Sequence, residues 1–409
     1  HNAGIGVCLD VVYNHLGPSG NYLSDFGPYF TPAHHTPWGE AVNYDHDGSQ
    51  QVRAFVIDSA LRWMRDFHID ALRLDAIHEI KDDAAAAATP QRHVLAELSD
   101  AVAALSIELG RPLSLVAEAD LNDVGVITPT SEEPPAKVPS LGMTAQWADD
   151  VHHALHVRLT GEDQGYYGDF AEVGAWAKAY GRAFLHNGTW STFRERNWGA
   201  PVPEDTDPRR FVVFGSDHDQ VGNRAVGDRP SVILDDAALA ATAALVLLSP
   251  YTPMLFMGEE WGTRTPFQFF TDHEEDDLAR SVSEGRVREF AGFGWDADEI
   301  PDPQAAATVE ASRLRWSELD EAEHARVLAW YQALTTLRRN LDWSQRTAWP
   351  QVDEIDDVLM VTYDDIVVAA NLSGQERPAP ALTTVLLSWD PFDAAAPSLS
   401  PGQTLIARR

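Results

Sequence analysis

Ile69-Asp70-Ala71-Leu72-Arg73-Leu74-Asp75 decides the fold: an apolar, alternating run ends on a carboxylate where a strand gives way to a loop. The same arrangement returns in Leu115-Val116-Ala117-Glu118-Ala119-Asp120 and in Phe214-Gly215-Ser216-Asp217-His218-Asp219-Gln220. Acidic groups spread in this way over about 140 residues of chain, each following an apolar run, can converge on one rim of a parallel barrel. Such a rim suits the splitting of glycosidic bonds.

Around these strings, apolar runs alternate with amphipathic segments, as in repeated strand-helix units. Strands are predicted at Gly4 to Val12, Ala71 to Leu74, Ser114 to Ala117, Thr144 to Trp147, Phe211 to Phe214 and Thr252 to Phe256. Helices are predicted at 50–67, 90–109, 151–159, 169–182, 237–248 and 321–338; in the first, Val52, Phe55, Val56, Ala60, Trp63, Met64 and Phe67 share one stripe. Leu16 to Asp47, rich in Gly, Pro and aromatic residues, reads as a loop. Six strands are two fewer than a closed barrel requires, so the expected fold is an α/β chain, a (β/α)8 TIM-type barrel lacking its first two strands. From Trp343 the style changes. Val358 to Tyr363 and Ile366 to Asn371 flank Asp364-Asp365 like a hairpin, and Thr384 to Trp389 reads as another strand. The expected division is a catalytic barrel over 1–342 and a small antiparallel, β-sandwich-like domain over 343–409.

Composition narrows the function classes. With 409 residues, 44% of them apolar and 10% aromatic, the chain is globular and large enough for more than one domain. A formal charge of -33 argues against nucleic acid and against anionic membranes as partners. The longest apolar run, Ala237 to Leu248, falls short of the ~20 residues a spanning helix needs. Cys8 has no partner for a disulfide and is expected as a buried thiol, which fits a reducing, cytoplasmic setting. The chain opens on His1 and enters a strand within a few residues, so its natural start is expected to lie further upstream. No cofactor fingerprint is present: Gly4-Ile5-Gly6 is followed by Leu9 where a dinucleotide loop would carry Gly. No metal set stands out either, since the adjacent His152 and His153 cannot both face one ion from a regular helix.

Neighbouring strands lie ~4.8 Å apart and retaining glycosidases hold nucleophile and acid ~5 to 5.5 Å apart, so Asp75 and Glu118 at adjacent strand ends have a suitable separation. Arg73 points to the same strand face as Asp75, two residues on, and its charge is expected to keep Asp75 ionised as nucleophile. Glu118 has no basic residue near it in sequence. Beside an ionised Asp75 it is expected to hold its proton for the leaving oxygen. Asp219 enters from a later strand as a third carboxylate that steadies the oxocarbenium-like state. His15 and His218 can donate hydrogen bonds to the sugar at the cleavage position.

Asp10 to His15, Asp70 to Asp75, Val116 to Glu118 and His218-Asp219 resemble, in this order, the four motifs of the α-amylase clan of glycoside hydrolases. Within the clan, Asn14 to Tyr22, Leu74 to Ile80, Gln146 to Asp150 with His152-His153, His218 to Arg224 and Met257 to Gly262 look like the maltooligosyltrehalose trehalohydrolase family. The resemblance implies a retaining hydrolase that cuts the α-1,4 bond next to a terminal trehalose unit of maltooligosyltrehalose. It implies a maltooligosyltrehalose synthase as pathway partner. It gives Asp75, Glu118 and Asp219 the roles argued above, and it places Arg73, His78, Gln146, Trp147, Asp149, His218, Gln220 and Asn223 along the substrate groove, with Trp38 stacking on the trehalose end. Two departures accompany it. Family members carry an N-terminal β domain and two further barrel strands ahead of the position where this chain begins, and Asp217 stands where the clan often has Asn. Clan relatives that branch or debranch α-glucans, and a glucan-binding chain without activity, are the alternative readings.

Overall fold

The computed structural model describes residues 1–37, 39–83, 92–134, 137–291 and 296–409. The chain forms β1 (Cys8–Val11), a hairpin of β2 (Phe30–Thr36) and β3 (Gly39–Val42), α1 (Ser49–Asp66), β4 (Ala71–Leu74), α2 (Val94–Leu109), β5 (Ser114–Ala117), β6 (Ala145–Trp147), α3 (Asp149–Thr160) and α4 (Ala175–Arg182). A second hairpin, β7 (Thr189–Ser191) and β8 (Arg196–Trp198), precedes β9 (Phe211–Phe214), α5 (His218–Gly222), α6 (Pro230–Ile233), α7 (Asp236–Leu247), β10 (Thr252–Met254), α8 (Asp276–Ala291), α9 (Ala306–Ala311) and α10 (Ala322–Asn340). The remaining strands are β11 (Gln351–Ile355), β12 (Val358–Tyr363), β13 (Ile366–Asn371), β14 (Arg377–Pro378), β15 (Thr384–Ser388), β16 (Ser398–Leu399) and β17 (Thr404–Arg408).

Two compact units divide the chain. The first comprises His1–Asp149, His186–Thr206 and Arg210–Val212. In it β1, β4, β5, β6 and the start of β9 lie side by side in parallel, with Asp10 opposite Arg73, Leu74 opposite Ala117, Val116 opposite Ala145 and Trp147 opposite Val212. Leu72 and Leu74 of β4 lie opposite Leu115 and Ala117 of β5, and these four alternate positions are buried on one face of the sheet, while Arg73 points to the other. Helices α1 and α2 pack on each other in this unit. The stripe of α1 is only partly core: Val52, Val56, Ala60 and Met64 are buried, while Phe55, Trp63 and Phe67 are exposed. Those three find aromatic neighbours instead, Trp63 on Phe67 at 4.8 Å and Phe55 edge-on to Tyr29 at 5.5 Å.

The second unit comprises Asp150–Leu185, Asp207–Arg209 and Val213–Arg409. Here the end of β9 neighbours β10, which completes the six-strand order β1-β4-β5-β6-β9-β10 expected of an incomplete barrel. The Ala-rich α7 is capped by Asp235, which accepts a bond from the Ala238 N–H at 2.8 Å, and packs against α10. The C-terminal strands form an antiparallel sheet in the order β11-β12-β13-β17-β15, over a core of Val358, Val367, Ala369, Leu399, Leu405 and Ala407. The hairpin around Asp364-Asp365 is present with Tyr363 opposite Ile366. Asn371, which opens the sequon Asn371-Leu372-Ser373, is fully buried and donates to the carbonyls of Gln375, Leu399 and Ser400, so its amide serves the fold.

Several expectations are corrected. Cys8 is exposed rather than buried, because β1 ends the sheet order and has β4 on one side only. The helix expected from residue 169 begins at Ala175, after a 3-10 turn over Gly165–Ala171. Of the helix expected at 90–109, residues 90 and 91 lie outside the described residues and Val94–Leu109 is helical. The loop 16–47 carries the hairpin β2-β3, and α8 was not foreseen because its polar sequence offers no clear stripe. No helix among the described residues is long and apolar enough to cross a membrane.

Gly199 closes the base of the second hairpin with φ at +70°, where a Cβ would stand 2.0 Å from the His186 carbonyl oxygen and 2.8 Å from the Asn122 Cβ. Gly199→Ala is expected to cost about 2 kcal/mol or more, from left-handed backbone and overlap together. Urea unfolding of the variant checks it; an unchanged midpoint refutes it.

Candidate active site

Asp75 and Glu118 stand one position beyond the paired ends of β4 and β5. Main-chain bonds set their level: the Glu118 N–H donates to the Leu74 carbonyl at 3.0 Å and the Ile77 N–H to the Glu118 carbonyl at 3.0 Å. Between these bonds Ala76 turns with φ 38° and ψ 55°, a left-handed conformation that is costly for a residue with a Cβ. That turn aims the Ala76 N–H at the Glu118 carboxylate.

Arg73 organises the acids. Its Nη1 donates to Asp75 Oδ1 at 2.7 Å and to Asp10 Oδ1 at 2.8 Å, and its Nη2 lies 3.2 Å from Glu118 Oε2. The guanidinium sits over the Trp147 ring at 4.5 Å. Burial works against its charge, but Glu118, Asp10 and Asp75 outweigh burial and raise its pKa, so Arg73 remains a cation. Asn14 completes the hold on Asp75, its Nδ2 donating to Oδ2 at 2.8 Å and to the main-chain oxygen at 2.7 Å. Both Asp75 oxygens are thus oriented by donors.

The sequence offers Glu118 no cationic neighbour, yet folding places Arg73 against it across the strand pair. The difference between the two carboxylates is geometric. Asp75 receives aligned bonds from Arg73 and Asn14, whereas the Arg73 Nη2 has no aligned hydrogen-bond acceptor and acts on Glu118 through charge alone.

The other sequence-selected residues of the first unit are placed as follows. His15 Nδ1 meets Asn14 Oδ1, and burial lowers the His15 pKa while Asp75 partly offsets the effect. His78 accepts a bond from the Asp120 N–H at Nδ1, 3.2 Å, and burial lowers its pKa against the opposing pull of Asp120 and Glu79. A neutral ring bonded in this way carries its proton on Nε2. Gln146 is fully buried and donates to the Asp123 carbonyl at 3.3 Å, Trp147 lies under Arg73, and Asp149 is the last residue of the unit's first segment. Trp38 lies outside the described residues. Asp10 and Asn14 were present in the quoted motifs but given no role; the cross-strand pairing of Asp10 with Arg73 is the signal that could have found the first.

Arg194 joins the second hairpin to this rim, its guanidinium pairing with both oxygens of Asp120, two residues past Glu118. At the hairpin's base the Ala200 N–H donates to the Asn122 carbonyl at 2.9 Å.

In the second unit Asp219, His218, Gln220 and Asn223 occupy or close the short helix α5, with His218 Nε2 3.6 Å from Asp219 Oδ2. Gln220 Oε1 accepts from the hydroxyls of Tyr166 and Tyr167, each at 3.3 Å. His152 is bonded to the Gly215 carbonyl at 2.9 Å and belongs to neither metal-competent group among the described residues. Asp217 caps α5, accepting from the Gln220 N–H at 2.7 Å. Burial pushes its pKa up to about 6, the Gln220 N–H opposes this, and Asp219 adds to the rise. A carboxyl with a raised folded pKa binds more protons folded than unfolded between the two pKa values, so its contribution falls as pH rises from about 4 to about 6. Asp217→Asn keeps an acceptor for the cap and removes the charge. It is expected to stabilise the protein by about 2 kcal/mol at pH 8 and by little at pH 4, read as the difference between two urea titrations. An equal effect at both pH values refutes it.

No family model matches the chain. Malto-oligosyltrehalose trehalohydrolase of Arthrobacter ramosus is 46% identical over 409 residues, covering 99% of this chain and 69% of that protein. The chain belongs to the malto-oligosyltrehalose trehalohydrolase family. A trehalohydrolase of Mycobacterium tuberculosis is likewise 46% identical over 402 residues, covering 95% of this chain and 66% of its own length. The chain therefore spans about two thirds of the length of these relatives. A crystal structure assigned as an α-amylase from Salmonella typhimurium superposes with a TM-score of 0.86 at 34% identity, over 100% of this chain and 68% of that one. Trehalohydrolase relatives and an amylase-like fold make this chain a glycosidase with an α-glucan as the class of its substrate.

Proposed function

We propose that the chain hydrolyses the α-1,4-glucosidic bond next to the terminal trehalose unit of maltooligosyltrehalose, releasing trehalose with retention of configuration. The observation that carries this reading is the pair Asp75 and Glu118 beside one guanidinium at the ends of adjacent strands, a closeness that supports double displacement. Asp75, oriented through both oxygens, attacks the anomeric carbon. Glu118 protonates the departing glycosidic oxygen and then takes a proton from the incoming water. The family resemblance gives Asp219 the steadying of positive charge on the ring and gives His15, Arg73, His78, Gln146, Trp147, Asp149, His218, Gln220 and Asn223 roles toward the substrate. The substrate is the product of a maltooligosyltrehalose synthase, and the setting is the cytoplasm.

Incubation with a maltooligosyltrehalose of defined length tests the reading. Free trehalose should appear, and early proton NMR should show the reducing end newly formed on the shortened maltooligosaccharide in the α configuration. Transfer or release of branches from glycogen, or an inverted first product, overturns it. Sugar binding with a rate that Asp75→Asn leaves unchanged would identify an inactive glucan binder instead.

A further inference from the structure

We propose that His34, Asp45 and His46 form a binding site for a divalent transition-metal ion of the zinc type. Their ligand atoms all lie within 4.8 Å of one another. His34 sits in an irregularity of β2, where the ladder to β3 shifts register between Thr31 and His35, which frees its ring from the regular pairing. Asp45 and His46 follow β3 on the way into α1. The Asp45 side chain is 2% exposed, and its two oxygens divide the rings between them: Oδ2 lies 2.8 Å from His34 Nε2 and Oδ1 lies 2.5 Å from His46 Nδ1. The two rings meet edge-on, centroids 5.3 Å apart.

A buried carboxylate needs compensation, and this one has it. Burial works against its ionisation, but the Asp83 N–H at 2.8 Å with His46 and His34 outweighs that cost and lowers the Asp45 pKa. The Asp83 bond also fixes the carboxylate, as a supporting donor does for a metal ligand. Bonds of ~2.0 to 2.2 Å to a tetrahedral ion hold donor atoms a little over 3 Å apart, so the two Asp45–His pairs open by less than about 1 Å while the ring nitrogens settle from within 4.8 Å. The rings bind as neutral imidazoles through the nitrogens that now face Asp45, with each ring proton moved to its other nitrogen.

Two imidazoles and one carboxylate select a borderline ion such as Zn(II), Co(II) or Ni(II) over Ca(II) or Mg(II), which take oxygen ligands. His46 is about half-exposed, so water can complete the coordination. Such an ion ties the β2-β3 hairpin to the segment entering α1. That segment is itself anchored, because the Tyr44 hydroxyl donates to the Tyr13 carbonyl at 2.7 Å, next to the Asn14 that holds Asp75. The set escaped sequence reading because the spacing of His34 from Asp45-His46 matches no metal motif; only the hairpin brings them together.

The test uses the full chain after treatment with EDTA. Titration with zinc chloride should show one saturable equivalent with a dissociation constant on the order of 10 μM or tighter, and a melting temperature raised by several degrees. Cobalt(II) should give visible absorption of low-symmetry Co–N coordination, and calcium at the same concentration should neither compete nor shift the melt. His46→Gln, a half-exposed change, should lose the equivalent while melting like the metal-free parent. His34→Gln is the second variant. Retention of the same isotherm in both variants, absence of saturation at 100-fold higher zinc, or equal competition by calcium overturns the proposal in favour of a simple hydrogen-bonded triad. None of these outcomes depends on turnover, so trehalose release can fail while the metal site stands.

Discussion

Asp75→Asn lowers kcat for trehalose release by roughly 10^4- to 10^6-fold, the scale on which loss of a covalent nucleophile is felt. The amide is nearly isosteric and Arg73 keeps its contacts with Asp10 and Glu118, so the fold survives with at most about 1 kcal/mol lost. Part of that loss has a specific source. The Asn14 Nδ2 would meet an amide nitrogen or a neutral oxygen where it now donates to a carboxylate. Two further variants separate roles from mere damage. Asp75→Ala leaves a space that azide can enter, and turnover restored by azide should give a product of inverted configuration. Glu118→Gln should spare the first step of an aryl glycoside whose leaving group needs no proton, while natural substrate suffers. If both variants respond alike to both substrates, the division of labour between the two carboxylates is wrong.

Arg73→Lys carries the second-largest effect, about 10^2- to 10^3-fold in kcat, although the charge is kept. A planar fork can bond Asp10 and Asp75 while lying beside Glu118, whereas a single ammonium on a flexible stem cannot hold three carboxylates in register. Arg73→Met tests the charge itself. It leaves three acids facing one another, and the expected destabilisation is about 3 kcal/mol, at the low end for a broken buried pair because Asp10 is half-exposed to water. Thermal unfolding and steady-state kinetics read the two variants. A lysine variant with wild-type kcat would show that Arg73 supplies charge and no orientation.

Much of this was legible in the chain because the strands of the parallel sheet stand out as short, mainly apolar runs between amphipathic segments. Ala71–Leu74, Ser114–Ala117 and Phe211–Phe214 lie where periodicity put them, and the six-strand order follows. The carboxylate after each run is legible for the same reason. What sequence could not supply was partnership across strands. Asp10 and Arg73 lie opposite each other only once register is fixed, and Arg73 reaches Glu118 only because β4 and β5 are neighbours. Exposure was misjudged where local order misleads: Phe55, Trp63 and Phe67 match a buried stripe, yet what covers each position depends on neighbours far away in sequence. The first hairpin was missed because β2 and β3 carry Pro, His and Gly, and the second because β7 and β8 are three residues each, too short for an alternation to show.

The second hairpin is fastened at its base and at Arg194, while Trp190 and Phe193 near its turn remain about 60% exposed. A segment clamped below and exposed near its turn is a natural cassette: Trp190, Thr192 and Phe193 can be diversified, whereas the buried Ser191 accepts bonds from Arg194 and belongs to the fastening that ends beside Glu118. Libraries aimed at altered glucan preference should therefore vary the turn and leave Asp120, Asn122 and Gly199 untouched, since those three fasten the hairpin to the segment that follows Glu118.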